Sequence, residues 1–230
     1  MAKKAIAIIP ARGNSKGIPH KNIVSICGKP LIAYTIICAI KSNVFDRVIV
    51  STDDNEIAKI SKKYGAEVIK RPFELAQDNT PTLPVLKHVL SKLKNEKYVP
   101  DFVYKLQPTS PLRTAEEIIK INQLMQTGKY NGVVTVTNYD YKAPLVLDKN
   151  NEILFLNKSD PSKRRQDFGK TYKVTGSIYA FKTDFLLKLK RYLFEKKVFG
   201  FVASELTSID IDTKGDLIIA EALMKAAKIK

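Results

Sequence analysis

The protein has 230 residues and a formal net charge of +16 at pH 7, with 44% hydrophobic and 27% charged residues. This balance is typical of one globular domain, and no apolar run approaches the roughly 20 residues that a membrane span needs. The two cysteines exclude a disulfide framework, and the short apolar run near the N-terminus lacks signal-peptide features, so we expect a cytoplasmic protein.

Residues 5–136 alternate between short β-branched runs and helical patterns. The apolar runs predict five strands, at 5–9, 47–50, 67–70, 102–106 and 132–136. Helices are expected between them: behind Pro30, after 51–56 to about Tyr64, over 82–95, and from Thr114 to Met125. In the second of these, Asp53 and Glu56 have roughly the spacing of a capping box, and Thr114 and Glu117 form a better one. This alternation predicts an α/β fold with a mostly parallel, doubly wound sheet that carries helices on both faces.

The regular alternation stops between about Tyr139 and Tyr172. The strings LVL and ILFL predict two short strands around a hairpin turn, and a basic stretch follows at 163–166. We interpret 139–172 as an inserted subdomain, which serves either as an arm for a partner subunit or as a lid.

Regular structure resumes after this insertion. The remaining elements are predicted as a strand over 172–181, a helix near 183–192, a strand near 198–203 and a final helix after Thr213. Because no internal repeat or low-complexity linker divides the chain, we treat 1–230 as one domain.

The loop IPARGNSKGIPHKN follows the first predicted strand and concentrates positive charge among glycines. It matches neither a P-loop nor a dinucleotide GxGxxG pattern. Glycines let a backbone turn its N–H groups toward a phosphate, while Arg12, Lys16 and Lys21 supply charge. Ligands of parallel sheets bind at the carboxyl ends of the strands, where this loop begins. The pattern favours an anion site over a basic surface turn.

A second polar loop, QPTSPLR, ends the fourth predicted strand at 107–113. Its two prolines make the turn rigid, and turn formation alone explains them. It does not explain Gln107, whose amide stands at the strand end with hydroxyl groups close behind it. We therefore expect this loop to contribute hydrogen bonds to a ligand.

Asp210 and Asp212 lie two residues apart near the C-terminus. In an extended segment such residues point to the same side, and paired carboxylates suit a hard cation such as Mg²⁺. The alternative is that Asp212 or Thr213 simply caps the last helix. Asp53 and Asp54 form a rival acidic pair, which helix capping explains better.

Arginines at Arg71 and in the basic stretch at 164–165 are candidates for bidentate contacts with carboxylate or phosphate groups. Each of them, taken singly, is also typical of a surface arginine. His20 and His88 show no partner spacing, and we assign neither a catalytic role.

Several of these motifs occur together in one known family. The segments concerned are IPARGNSKGIPHKN, RPFELA at 71–76, QPTSPLR at 107–113, RRQD at 164–167, GSIYAF at 176–181 and DIDTKGDLIIAE at 210–221. In this order they resemble the signature of the CMP-sialic acid synthetases (acylneuraminate cytidylyltransferases) across nearly the whole chain. The resemblance implies a Rossmann-like nucleotidyltransferase fold with a dimerisation arm.

The resemblance also implies a reaction. The anomeric hydroxyl of a nine-carbon 2-keto sugar acid would attack the α-phosphorus of CTP in line and release pyrophosphate. The enzyme would be a homodimer that requires Mg²⁺, with no nucleic-acid or membrane partner.

Residue roles follow from the same resemblance. The residues implied to bind the nucleotide are Ala11, Arg12, Gly13, Ser15, Lys16, Lys21, Asn22 and Arg71. The residues implied to bind the sugar are Gln107, Arg165, Gln166 and Tyr179. The implied catalytic residues are Arg12, Lys16, Lys21, Asp210 and Asp212, the last two as metal ligands. Within these sets, Arg71 would read cytosine and Arg165 would hold the sugar carboxylate.

Three alternatives remain open. The same scaffold can activate a pseudaminic, legionaminic or Kdo-type acid. The net charge would also suit a nucleic-acid-binding protein, although no nucleic-acid module is recognisable and much of the excess lies in dispersed lysines. A non-catalytic sugar-nucleotide sensor would have little use for paired metal carboxylates.

Overall fold

A computed structural model describes residues 3–15, 17–139, 145–147, 153–155, 170–190 and 197–227. The strands are β1 Ala5–Pro10, β2 Ser25–Ile26, β3 Lys29–Pro30, β4 Arg47–Thr52, β5 Glu67–Lys70, β6 Phe102–Leu106, β7 Gly132–Asn138, β8 Leu145–Leu147, β9 Ile153–Phe155, β10 Tyr172–Lys182 and β11 Val198–Val202. The α-helices are α1 Leu31–Lys41, α2 Asn55–Lys63, α3 Thr82–Asn95, α4 Ala115–Gln126, α5 Thr183–Lys188 and α6 Lys214–Ala226. The predicted alternation of strands and helices is confirmed.

Seven strands form the central sheet in the order β11-β7-β10-β6-β1-β4-β5. Neighbours β6, β1, β4 and β5 pair in parallel, and β11 pairs in parallel with β7, whereas β10 runs antiparallel to both of its neighbours. The chain leaves β1 toward β4 on one side and later returns to β6 on the other. A ligand crevice is expected outside the carboxyl ends of strands where the order reverses in this way, here β1 and β6.

Both faces of the sheet are covered by helices. One core cluster packs α1, α2 and α4 on the sheet through side chains such as Ile36, Ile57 and Ile118, all fully buried. The other packs α3 and α5 on the opposite face through Leu86 and Leu186. The apolar residues of β1 alternate between the two clusters, as a strand covered on both sides requires. The prediction of a doubly wound α/β sheet is therefore confirmed.

Strand β10 carries an irregularity at the ligand edge of the sheet. Its register on β7 shifts between Val174 and Tyr179, and Gly176 lies in the shifted stretch with φ +81°. A side chain is strained at that φ, and a Cβ would also come within 3.3 Å of Gln107 Oε1. The bulge therefore brings backbone close to the end of β6, where the QPTSPLR loop begins.

The helix caps differ in part from the prediction. Asp54, and not Asp53, is the N-cap of α2, because its side chain accepts from the Ile57 N–H at 2.8 Å. The capping box predicted from Thr114 is present on α4. Helix α6 is capped by Thr213 with Asp216 closing the box, so Asp212 is not the cap.

One further difference concerns the second half of the chain. Helix α5 ends at Lys188, short of the predicted 192. In the predicted insertion, β8 and β9 pair antiparallel, as expected of a hairpin, and the turn between them lies outside the described residues.

Among the residues that the structure describes, no helix is long and apolar enough to cross a membrane.

Candidate active site

A cleft of about 430 Å³ lies at the carboxyl ends of β1, β5 and β6. Its position is the one expected of a ligand site in a parallel sheet. The residues that line it are Pro10, Arg12, Ser15, Gly17, Lys21, Asn22, Arg71, Leu75, Gln77, Asp78, Thr80, Thr82, Val85, Lys105, Gln107, Pro108, Thr109 and Asp212. Four of these are basic and two are carboxylates, so the described lining is suited to an anionic ligand.

Arg12 contacts two other residues of the cleft lining. Its guanidinium forms an ion pair with Asp78 at 2.9 Å and donates to the Gln77 carbonyl at 3.1 Å. Lys21 forms a second ion pair, Nζ to Asp212 Oδ1 at 2.9 Å. Since Asp78 and Asp212 are well exposed, these pairs contribute little to stability. Phosphate oxygens can therefore replace either carboxylate at small cost.

The glycine loop is held in place by close contacts. Gly13 donates its N–H to Asp53 Oδ1 at 3.1 Å, and a Cβ at this position would meet the Asp54 side chain at 2.9 Å. Gly17 lies so close to the Asp212 carbonyl that a Cβ there would overlap it. In this structure glycine thus serves close packing of the loop on its neighbours, and the Gly13 N–H is directed at a carboxylate.

Two other residues of the predicted nucleotide site support the same loop. Buried Asn22 donates from Nδ2 to the Arg12 carbonyl at 2.9 Å. Ala11 is buried behind the cleft and donates its N–H to the Ser51 carbonyl at 3.0 Å. Both hold the backbone from which Arg12 projects.

Arg71 lies buried at the end of β5 and still lines the cleft. Its guanidinium donates to the Ser51 carbonyl at 2.6 Å and to Ser51 Oγ at 3.3 Å. Burial lowers the pKa of Arg71 to about 10, so the group stays charged at neutral pH. An arginine has five N–H donors, and those not used on Ser51 are available for a ligand.

Asp210 is held by two neutral donors from the QPTSPLR loop. Gln107 Nε2 donates to Asp210 Oδ2 at 3.0 Å, and the Thr109 hydroxyl donates to the other oxygen. Burial raises the pKa of Asp210, and the charge of Asp212 raises it further. The two carboxylates are therefore within electrostatic reach of each other.

The donor chemistry of this pair fits a hard cation. Asp212 is exposed on the cleft side, and Asp210 keeps lone pairs beyond its two hydrogen bonds. Within the described part of the chain, no three His, Cys, Asp or Glu side chains group closely enough to enclose a metal. Two carboxylates with the other positions left to water and phosphate oxygens is the arrangement that Mg²⁺ commonly uses.

Lys105 is a site residue that the sequence reasoning missed. It is the one lysine among the described residues that is buried, yet it lines the cleft. Its Nζ donates to Gln107 Oε1 and to the Gly176 carbonyl, and lies 4.3 Å from the centroid of the Tyr179 ring. A lysine within the apolar run FVYKL was the available signal, because lysine is almost never buried without a partner.

Arg113 is the second residue that was missed. It is buried and donates to Ser177, to Thr35 Oγ1 at 3.0 Å and, at 2.6 Å, to the Gln107 carbonyl. These bonds join α1, β10 and the end of β6, so Arg113 fixes the backbone on which the Gln107 side chain stands.

The structure brings most of the predicted site residues to one edge of the sheet. From the nucleotide set, the cleft is lined by Arg12, Ser15, Lys21, Asn22 and Arg71. From the sugar set, Gln107 lines it, and Tyr179 lies beside it beneath Lys105. The predicted residues Lys16, Arg165 and Gln166 lie outside the described residues.

Comparison with known proteins places the chain in a family. The sequence profile of the cytidylyltransferase family matches residues 6–229. An N-acylneuraminate cytidylyltransferase of Escherichia coli is 36% identical over 228 residues, which cover 96% of this chain and 52% of that protein. A pseudaminic acid cytidylyltransferase of Campylobacter jejuni is 33% identical over 228 residues, which cover 96% of this chain and 97% of that protein. The chain thus spans about half the length of the first relative and nearly all of the second.

The fold is similar to that of a solved structure of CMP:2-keto-3-deoxy-manno-octonic acid synthetase complexed with CTP. The TM-score is 0.71 and the identity 20%, over 97% of this chain and 99% of that one. At this identity the likeness bears on the fold alone, and it confirms the predicted fold class. The chain therefore belongs to the cytidylyltransferase family of nucleotidyltransferases, in agreement with the resemblance of its sequence to the CMP-sialic acid synthetases.

Proposed function

We propose that this protein transfers CMP from CTP to the anomeric hydroxyl of a nine-carbon 2-keto sugar acid of the sialic type, with release of pyrophosphate. The observation that carries the proposal is the cleft at the ends of β1, β5 and β6. Four basic side chains line it together with Asp212, and Asp210 is bonded to the lining residues Gln107 and Thr109. Two anionic reactants can approach each other only where their charge is offset. The names of the two cytidylyltransferase relatives support the same reaction.

The nucleotide end of the cleft is built around Arg12, Lys21 and Arg71. In the reaction, Arg12 and Lys21 would exchange their exposed carboxylate partners for oxygens of the triphosphate. Arg71, anchored on Ser51, would use its remaining N–H donors on the base. Lys16, from the same loop, stays a predicted phosphate ligand.

The sugar end is built around Gln107 and Tyr179. Gln107 combines an amide that can donate and accept with a rigid backbone, which suits recognition of a polyhydroxylated acid. Arg165 and Gln166 stay predicted contacts of the sugar, with Arg165 on its carboxylate. In an in-line attack, the acceptor hydroxyl and the leaving pyrophosphate lie on opposite sides of the α-phosphorus. The sugar would therefore bind on the side of the α-phosphate that is opposite Lys21 and Asp212.

Asp212 and Asp210 would hold Mg²⁺, with Asp212 as the exposed ligand on the cleft side. When bound, the ion neutralises charge on the phosphate oxygens and so favours departure of pyrophosphate. Lys21 would then leave Asp212 for a phosphate. The Thr109 hydroxyl and the Gln107 amide hold Asp210 in place throughout.

A homodimer is part of this proposal. A second cavity, of about 330 Å³, lies beside Asp210 and is lined in part by Val174 and Ile219, both exposed apolar side chains. Exposed Val202 ends the edge strand β11. Exposed apolar groups beside an active site are typical of a subunit interface. The arm of a partner subunit, residues 139–172, would lie against these apolar groups. The expected cytoplasmic location stays a separate prediction.

Pyrophosphate release, measured with each of the four nucleoside triphosphates and a panel of keto sugar acids, tests this function. The panel contains sialic, pseudaminic, legionaminic and Kdo acids. We expect release with CTP far above the other nucleotides, and only in the presence of a nine-carbon acid. Equal release with ATP, or release only with an aldose 1-phosphate, would overturn the assignment.

A further inference from the structure

Lys105 is buried, and the groups that accept its hydrogen bonds are uncharged. Its acceptors are the Gln107 amide oxygen and the Gly176 carbonyl, and the Tyr179 ring covers it at 4.3 Å. None of these three groups is a carboxylate. Burial of an ammonium group against neutral hydrogen-bond partners is costly, and the nearby charge of Asp210 offsets that cost only in part. A methionine of similar length would fill the same space without that cost. The lysine is therefore not explained by packing in β6.

The contact with Lys105 restricts the orientation of the Gln107 side-chain amide. A glutamine amide can be placed in two orientations that differ by exchange of its oxygen and nitrogen. Here the oxygen faces Lys105 Nζ and the nitrogen faces the Asp210 carboxylate at 3.0 Å. The reversed orientation would put two donors together on one side and two acceptors together on the other. Asp210 and the charged form of Lys105 thus select one orientation between them.

The backbone of Gln107 is fixed separately. Its carbonyl accepts from Arg113 at 2.6 Å and from Thr35 Oγ1 at 3.2 Å, and its N–H donates to Ser177. The side-chain amide is consequently the part whose direction is still to be set. One of its two N–H groups is used on Asp210, and the other remains for a ligand in the cleft that Gln107 lines.

We propose that Lys105 is a positioning residue for the acceptor end of the cleft, which fixes the Gln107 amide with its nitrogen toward Asp210 and its remaining N–H available to the sugar acid. This inference rests on the proposed function, because it names the sugar as the ligand of that N–H. Lys105 acts through Gln107, so its effect on the reaction requires the Gln107 side chain.

The test is a double-mutant cycle with Lys105→Met and Gln107→Ala. In the Lys105→Met enzyme, the KM for the sugar should rise about tenfold, the effect of losing one well-placed hydrogen bond, while the KM for CTP stays within about twofold. In the Gln107→Ala background, adding Lys105→Met should change the sugar KM by less than about twofold. Lys120→Met, on the exposed face of α4, controls for loss of one positive charge.

The other outcomes are also decisive. If the two effects multiply, Lys105 does not act through Gln107, and the inference is wrong. It is equally wrong if Lys105→Met shifts the melting temperature but neither KM. Should Lys105→Met fail to fold, Lys105→Gln retains an N–H donor for the Gln107 oxygen and must give a smaller rise in sugar KM than Lys105→Ala. A wild-type enzyme without activity on CTP and any acid of the panel would instead overturn the proposed function.

Discussion

Gln107 donates a hydrogen bond to the carboxylate of Asp210 at 3.0 Å, although the two residues lie 103 positions apart in the chain. This bond joins the loop after β6 to the acidic segment before α6. The Thr109 hydroxyl adds a second bond to the same carboxylate. Burial raises the pKa of Asp210 by more than the Thr109 hydroxyl and the nearby charges of Lys105 and Lys21 lower it, so a bound cation would find a carboxylate whose charge is not yet fully offset.

The first prediction concerns the carboxylate pair of Asp210 and Asp212. Asp210→Asn and Asp212→Asn keep size and remove charge, so both proteins should fold while turnover falls by roughly a hundredfold or more. Raising Mg²⁺ should recover part of the rate if the defect is in metal affinity. Melting curves and Mg²⁺ titrations measure both effects.

Thr213→Ala is the matched control, because Thr213 is the N-cap of α6 and stands next to Asp212. It should cost about 1 kcal/mol of stability and leave turnover and the Mg²⁺ requirement near normal. Near-normal turnover in both Asp variants would show that Asp210 and Asp212 do not bind the metal.

The second prediction concerns Arg165. Its replacement by alanine should weaken binding of the sugar far more than that of CTP, since loss of a bidentate carboxylate contact costs on the order of 2 kcal/mol or more. Initial rates with each substrate varied in turn give the two KM values. An unchanged KM for the sugar would exclude Arg165 from the site.

The third prediction concerns assembly. If residues 139–172 form an arm that reaches a partner, the protein should be a dimer under assay conditions, with Arg165 near the neighbouring active site. The molar mass measured by light scattering and the enzymatic activity should fall together over the same dilution series. A monomer with full activity would contradict this arrangement.

The fourth prediction concerns the pH dependence of stability. Burial lowers the pKa of Lys105 to about 7, whereas the unfolded chain keeps an ordinary value of 10.5. Between these values the unfolded state binds one more proton than the folded state, so the free energy of unfolding should rise with pH. Below about pH 7 both states are protonated and the contribution is constant.

Lys105→Met lacks this titration. The free energy of unfolding of the wild type, minus that of the variant, should therefore rise from about pH 7 to about pH 10, by up to about 1.4 kcal/mol per pH unit. Denaturant unfolding at several pH values measures it, with Lys120→Met as the control. A difference that does not change with pH would show that Lys105 titrates normally.

The sequence predicted the larger elements because their signals are local. The apolar strand AIAII and the Thr114–Glu117 capping box each lie within a few residues, and both are present in the structure. The cap of α2 was placed one residue early, on Asp53. Two adjacent acids offer nearly the same local pattern, and only the contact of Asp53 with the distant Gly13 N–H separates their roles.

The candidate site was predictable where motifs carry charge and was missed where function depends on packing. Arg12 and Lys21 stand out in a glycine loop, and both line the cleft. The pairing of Arg12 with Asp78 joins segments far apart in the chain, which no local pattern indicates. Lys105 and Arg113 were missed for the same reason, because their partners come from β10 and other elements distant in sequence.

The most direct measurement of the central claim is the identity of the products. After reaction of CTP with the preferred sugar acid, phosphorus NMR and mass spectrometry should show pyrophosphate and a CMP–sugar diester in equal amounts. That result requires attack of the sugar hydroxyl on the α-phosphorus of CTP. CDP with a phosphorylated sugar, or free CMP with unmodified sugar, would contradict the account.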